Sequence, residues 1–437
     1  MHSSLLIFRI AAAMGTAAAG LAQTEPLTLD RALGTVEGTN LSVLLSREAA
    51  AQALAAANQQ RVGILPIVAL NAQQRRTEAV SVTASGGLTQ TPATNRFDGK
   101  LTGNFALLNP QQIAAYRAAK AGVAVAEADY LATIQTVLAN VAQTFFTHLR
   151  NLRRIDVLDA NIARAKALVD LAGNQLSAGV ATQIDVTRAE SLLAQAEQAR
   201  LQQDTVVYQS ALLLQRLLDL DPARSLLLKD FQVRRVDAGR FADGFEQTTF
   251  TKRADWLRAQ KALEQSKLDV RTAKFERLPA LGLGAEYGFV SPEVFDNSSK
   301  QAWFAGATLS VPIFDGMKSS ADQRSALSRQ RAQAARLHNL ELQISAELRL
   351  AQQDASSRFV QIAVAEKSLR LAEQELDLAQ KRFQQGVADN REIIEAQNRL
   401  AVASDGLVEA VYQYNLSRVE LARAKGDARG ILSERIE

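Results

Sequence analysis

Two stretches of this 437-residue chain carry one pattern. The first runs Leu176-Ser177-Ala178-Gly179-Val180-Ala181, then Asp185-Val186, Ala189-Glu190 and Leu193. The second runs Phe383-Gln384-Gln385-Gly386-Val387-Ala388, then Glu392-Ile393, Ala396-Gln397 and Leu400. One constant offset carries each position onto its counterpart. Internal duplication fixes the architecture before any local reading, because each copy must fold into an equivalent unit. The chain therefore divides into 23–220, a first repeat of helix, β-hairpin, long helix and short helix, and 256–437, a second repeat with hairpin, long and short helices. Residues 221–255 link them as an equatorial region. Within it, the stretch from Asp230 to Asp255, with Phe231, Phe241, Phe245 and Phe250, is expected to pack as a small mixed region against the side of the rod.

Each copy changes hydrophobic period from 2 to helical. Phe97, Gly99, Leu101, Gly103, Phe105 and Leu107 alternate with Asp98, Lys100, Thr102 and Asn104, and Ile64–Gln73 follows more weakly, with Val68 and Leu70 on one face. In the second copy Leu281, Leu283, Ala285, Tyr287 and Phe289 oppose Gly282, Gly284, Glu286 and Gly288. Trp303, Ala305, Ala307, Leu309 and Val311 likewise oppose Phe304, Gly306, Thr308 and Ser310. Such alternation predicts half-buried strands. Apolar-out, polar-or-glycine-in strands fit a transmembrane β-barrel, and a soluble hairpin covering a core alternates in the same way. Arg76–Arg96 and Val290–Ser299, rich in Thr, Ser, Asn, Gly and Pro, are expected as exposed loops. Four strands cannot close a barrel, and bare edges are too costly in lipid, so a membrane reading demands several copies of the chain.

Gln111–Ser177 and Met317–Gln385 contain no proline. At a rise of about 1.5 Å per residue, each predicts a helix of roughly 100 Å. Shorter helices follow at Gln183–Leu220 and Arg391–Lys425. Ile155, Ile162, Val169 and Leu176 recur every seven residues, as do Leu400, Leu407, Tyr414 and Leu421, which predicts coiled-coil contacts. Gly179 and Gly386 end the incoming helices. Thr182 with Asp185, and Asp389 with Glu392, can open the outgoing ones as capping boxes.

Residues 1–22 set Leu5-Leu6-Ile7-Phe8 and an alanine-rich run before Gly20-Leu21-Ala22, as expected of a secretory signal peptide cleaved before Gln23; a buried Ala-rich helix is the alternative. The chain has no cysteine, which removes disulfides and thiolate metal sites. A net charge of +4, with basic and acidic residues interspersed, gives no nucleic-acid stripe. His2, His148 and His338 are too scattered for a ligand cluster, and no serine has a paired histidine and acid. No enzyme activity and no cofactor are expected. Trp303 and Tyr287 suit an aromatic belt at the lipid boundary or a packed hairpin face.

Leu65-Pro66 and Leu278-Pro279 precede the first strand of each hairpin, and Val311-Pro312-Ile313-Phe314-Asp315-Gly316 closes the second. With the paired glycine turns and Glu395-Ala396-Gln397, these residues make the chain resemble the TolC-like outer-membrane efflux proteins over nearly its whole mature length. The resemblance implies a mixed α/β membrane protein. It would be a homotrimer whose twelve-stranded β-barrel, four strands per protomer, continues into a long α-helical coiled-coil barrel through the periplasm. It further implies an outer-membrane channel of a tripartite efflux system in a Gram-negative bacterium, passively exporting small solutes. Its partners would be a periplasmic adaptor (membrane fusion) protein and an inner-membrane resistance-nodulation-division or ATP-binding cassette transporter. A type I protein secretion channel, or a periplasmic coiled-coil protein that forms no pore, are the alternatives. The absence of a cysteine at the mature start argues against the lipid-anchored branch of the family.

By the same resemblance, an acidic pair narrows the periplasmic tip and falls on Glu392 and Glu395, whose copies would attract cations and repel anions. Both residues also fit a local role, Glu392 in the cap begun by Asp389 and Glu395 in the first-turn dipole. Arg391 would pair between helices or remain a solvated arginine, and Asp185 with Arg188 would couple across the tip.

Overall fold

The computed structural model describes residues 26–229, 248–294, 296–385, 387 and 390–434. The expected signal peptide, Gly386 and Asp389 lie outside the described residues, as does most of the aromatic stretch from Asp230. Helices α1 (Leu29–Thr39) and α2 (Leu41–Arg61) lead to strands β1 (Ile67–Val82) and β2 (Leu88–Leu108). Asn109 then caps a 68-residue helix, α3 (Pro110–Ser177), its side-chain oxygen accepting from the Gln112 amide at 3.1 Å. Pro110 at the first helical position has no amide to leave unpaired. Helix α4 (Gln183–Leu217) returns.

The second half begins with α5 (Thr248–Lys252) and α6 (Ala254–Phe275), then β3 (Ala280–Ser291) and β4 (Lys300–Ser310). Helices α7 (Lys318–Gln384) and α8 (Asn390–Ala424) complete it. Between β4 and α7, Gly316 and Met317 both take left-handed backbone conformations, φ 65° and 69°. Asp315 stabilises this tight corner by accepting from the Ser319 amide at 3.0 Å.

All four strands join one antiparallel sheet in the order β1-β2-β3-β4, leaving β1 and β4 as free edges. Arg76–Arg96, expected as a loop, is mostly strand: Arg76 pairs with Asn95, Thr77 with Thr94 and Val82 with Leu88. Threonine and valine favour extended backbone, and Pro92 falls where the register shifts between Thr77 and Ala79. A bulge spares proline the amide bond it cannot make. The strands of the first hairpin therefore continue beyond the Phe97–Ser291 pair as a two-stranded ribbon. The second connection, after Ser291, is an irregular loop as expected.

The helices lie side by side in two tiers. Nearer the sheet α3 packs against α2 and α6, and α6 against α7. Farther away α3 packs against α4 and α8, and α8 against α7. Helix α7 is thus a free edge along both tiers, with α2 and then α4 forming the other. Alanine at Ala351, Ala355, Ala372, Ala379, Ala396 and Ala403 fills the α7–α8 seam. Small side chains let helix axes approach to about 8 Å. The heptad residues Leu400, Tyr414 and Leu421 are buried in the same seam. Between the tiers, Leu29, Leu33, Val36, Leu138, Phe145, Phe146 and Leu214 form the bulkiest core.

Candidate functional site

The sheet has two chemically distinct faces, and strand register defines them. Leu70, Leu101, Tyr287 and Trp303 fall in one cross-strand row, with Val68, Gly103, Ala285 and Ala305 in the next. Phe105, Leu283 and Ala307 follow. Apart from half-buried Phe105, these apolar side chains are solvent-exposed in the single chain, Trp303 at 75%. Tyr287 and Trp303 share the row, as the aromatic pairing of strands favours.

The opposite face is mostly glycine, alanine and polar residues, with Ile67, Val290 and Phe304 among them. Asn71 donates to Thr102 Oγ1 at 2.9 Å, and Lys100 lies 3.3 Å from Glu286. A side chain at Gly288 would collide with the backbone of Gly99 and Lys100. One at Gly306 would come within 2.7 Å of the Phe304 ring, so the glycine leaves room for that ring. Glycine here permits close strand approach and keeps the face low.

At the far end of the rods, each repeat reverses direction. Gly179 adopts φ 75°, and the Val180 and Ala181 amides donate to the Gln175 carbonyl at 3.0 and 3.2 Å, closing α3. Asp185 accepts from the Thr182 amide at 3.0 Å and from its hydroxyl at 2.6 Å. Those bonds, side chain first and backbone second, hold the Asp185 carboxyl below its ordinary value; slight burial opposes this, and Arg188 adds to it. Arg188 stands 3.8 Å from Asp185 on the same helix turn. Within one chain this pair therefore braces α4 instead of bridging the two turns.

The bridge comes from Asn390, 1% exposed, whose side-chain amide donates to the Asp185 carbonyl at 2.9 Å. Sequence spacing gives no hint of this contact. Glu392 lies 3.1 Å from Arg382 Nε, across the turn from α8 to α7. Glu395 lies 3.2 Å from Arg391 and 4.0 Å from Arg399, which also pairs with Glu375. Each carboxylate expected at the tip thus has an arginine beside it within its own chain. Arg391 and Arg399 stand four residues either side of Glu395, a legible helical pairing. Arg382 was legible only once the turn was known.

The halves are also tied along their length. Arg154 on α3 meets Asp405 on α8 at 2.6 Å, and Arg150 lies 4.5 Å over the Tyr412 ring. Arg253, buried beside α8, meets Asp255 at 2.6 Å and Glu347 on α7 at 3.0 Å. Among the described residues no group of three or more His, Asp or Glu side chains could hold a metal ion, and no helix is long and apolar enough to cross a membrane.

A four-stranded antiparallel sheet with one apolar face, continued by long paired helices, is the fold class of outer-membrane efflux proteins. Residues 36–219 and 247–427 match the family described as Outer membrane efflux protein, and the chain belongs to that family. Membership places it in the outer membrane and periplasm. The solved outer membrane channel CmeC of Campylobacter jejuni superposes with a TM-score of 0.78 at 19% identity, over 93% of this chain and 88% of that one. Among curated relatives, the pyoverdine export outer membrane protein OpmQ of Pseudomonas aeruginosa is 23% identical over 72% of this chain. Outer membrane protein OprJ of the same species is 26% identical over 66% of it. The chain spans 66% and 61% of those two relatives, slightly under two thirds of each.

Proposed function

We propose that this protein is the outer-membrane channel and periplasmic tunnel of a tripartite efflux system, passively exporting small solutes supplied by an inner-membrane pump through an adaptor. One observation carries the reading: a four-stranded sheet with one apolar face and two unpaired edges, β1 and β4. Unpaired backbone groups cost several kcal/mol each in hydrocarbon, so this sheet enters lipid only when copies of the chain pair edge to edge. Three copies make a closed barrel of twelve strands, an even number within the range such barrels use.

The helices support the same closure. Leu350, Val364, Leu371 and Leu378 recur at whole heptads on α7 and remain exposed along its free edge. Leu201 and Tyr208 do the same on α4, at the opposite edge. Joining α7 of one copy to α2 and α4 of the next buries both rows and continues the wall.

Glu392 and Glu395, with Arg382, Arg391 and Arg399, form the constriction in this reading, their ion pairs holding the tip narrow. Asp185, Arg188 and Asp389 belong to the turns that position it. Outer-membrane fractionation followed by planar-bilayer conductance tests the proposal. A pore-forming oligomer is expected, with E392Q/E395Q raising its conductance by loosening the tip. A monomer that stays in water and carries no current overturns the reading.

A further inference from the structure

The glycine-bearing face of the sheet, inward in the proposed barrel, also concentrates charge of one sign. Arg75 pairs with Arg96 in one cross-strand row. The next row runs Gln73, Asp98, Val290, Lys300, the next Asn71, Lys100, Gly288, Ala302, and the last Ala69, Thr102, Glu286, Phe304. Successive rows on one face are two residues apart, about 7 Å, so the belt is roughly 20 Å deep.

Four cations, Arg75, Arg96, Lys100 and Lys300, thus face two carboxylates, Asp98 and Glu286. Both carboxylates are already engaged. Asp98 lies 2.8 Å from Arg96 and 3.9 Å from both Arg75 and Lys100, while Glu286 meets Lys100. Nearby acidic groups do not offset the surplus. Glu293 accepts from Asn95 on the outward face, Glu78 accepts from outward-facing Gln90, and Asp296 accepts from Ser298 inside its own loop.

We propose that this belt is a selectivity collar that makes the barrel end of the channel prefer anionic solutes, carboxylates or phosphates, over cations of similar size. The inference rests on the channel reading and adds a substrate class to it. Rows about 7 Å apart lie within a Debye length of about 8 Å at physiological salt, so their charges act together instead of being screened row by row. Closing the sheet sets these side chains in a lumen with low-dielectric walls, which focuses the field and concentrates counter-ions. Arg75 and Arg96, each half-exposed, keep guanidinium donors free for a passing carboxylate or phosphate.

Reversal potentials across planar bilayers under an about tenfold KCl gradient test the collar. Measured in the E392Q/E395Q background, so that the tip carboxylates do not set the reading, the channel is expected to pass chloride several-fold better than potassium. The double variant R75Q/K300Q removes the surplus while leaving Asp98 held by Arg96 and Lys100, and should lose most of that preference at similar conductance. R76Q, on the outward face, should leave it unchanged. A cation-preferring pore, an unaltered preference in R75Q/K300Q, or an equal shift in R76Q overturns the collar while the channel stands. Absence of any pore overturns the channel reading, and the collar with it.

Discussion

The two halves of this molecule agree in their rods and disagree in their hairpins. Helices α3 and α4 contain 68 and 35 residues, and α7 and α8 contain 67 and 35. The strands contain 16 and 21 residues in the first hairpin but 12 and 11 in the second. A membrane-spanning strand needs about 9–11 residues. The second hairpin is close to that length, while the first continues past its last neighbour as a ribbon. Rods are constrained at both ends, since both leave one sheet and both turns must meet where Asn390 reaches Asp185. Beyond the sheet nothing in the chain holds the hairpins to a common length.

The strongest challenge to this contrast is to shorten one rod. Deleting the seven residues 361–367 from α7 displaces its end by about 10 Å and moves α8 out of reach of α4. Loss of the detergent-extracted oligomer on size-exclusion chromatography is expected, with recovery when one heptad is removed from all four rods. If the single deletion still assembles, equal rod length is not a requirement.

A smaller effect is expected at the first turn. Asp185→Asn weakens the bonds from Thr182 and should cost about 1 kcal/mol. Because the Asp185 carboxyl is held low in the folded chain, its contribution is complete above the ordinary carboxylate range near about pH 3.9. It is lost as pH falls through the lower folded value. Denaturant titrations at neutral and acid pH should show the gap between parent and variant closing at the acid end; a gap that does not depend on pH would remove the charge from the explanation.

The smallest effect is expected at the ribbon. Trimming residues 79–91 to a tight turn should change stability by no more than about 0.5 kcal/mol and leave pore conductance intact. A large loss on urea unfolding would show that the extra length of the first hairpin is structural.

Much of this was legible in the residues. Alternation assigned the two faces of β2, β3 and β4 correctly, because side chains on a strand must alternate. The long rods followed from proline-free helical composition, with boundaries within a residue or two at Gly179 and Met317. The ribbon was not legible, since Thr, Ser, Gly and Pro serve turns and extended edges alike, and only pairing partners separate the two. The family resemblance pointed to Glu392 and Glu395 at the turn, and helical spacing alone pairs Glu395 with Arg391 and Arg399, but the contacts made across the turn were not legible. Arg382 reaches Glu392 only because the chain reverses between them, and Asn390 finds Asp185 across two repeats.

The free margins β1 and β4 are different sequences, so any joining of copies is head-to-tail and not self-complementary. Such a contact specifies a rotation, not a count. Stoichiometry then resides in curvature: a few degrees of error per junction would leave the ring unsealed or send it on into a spiral.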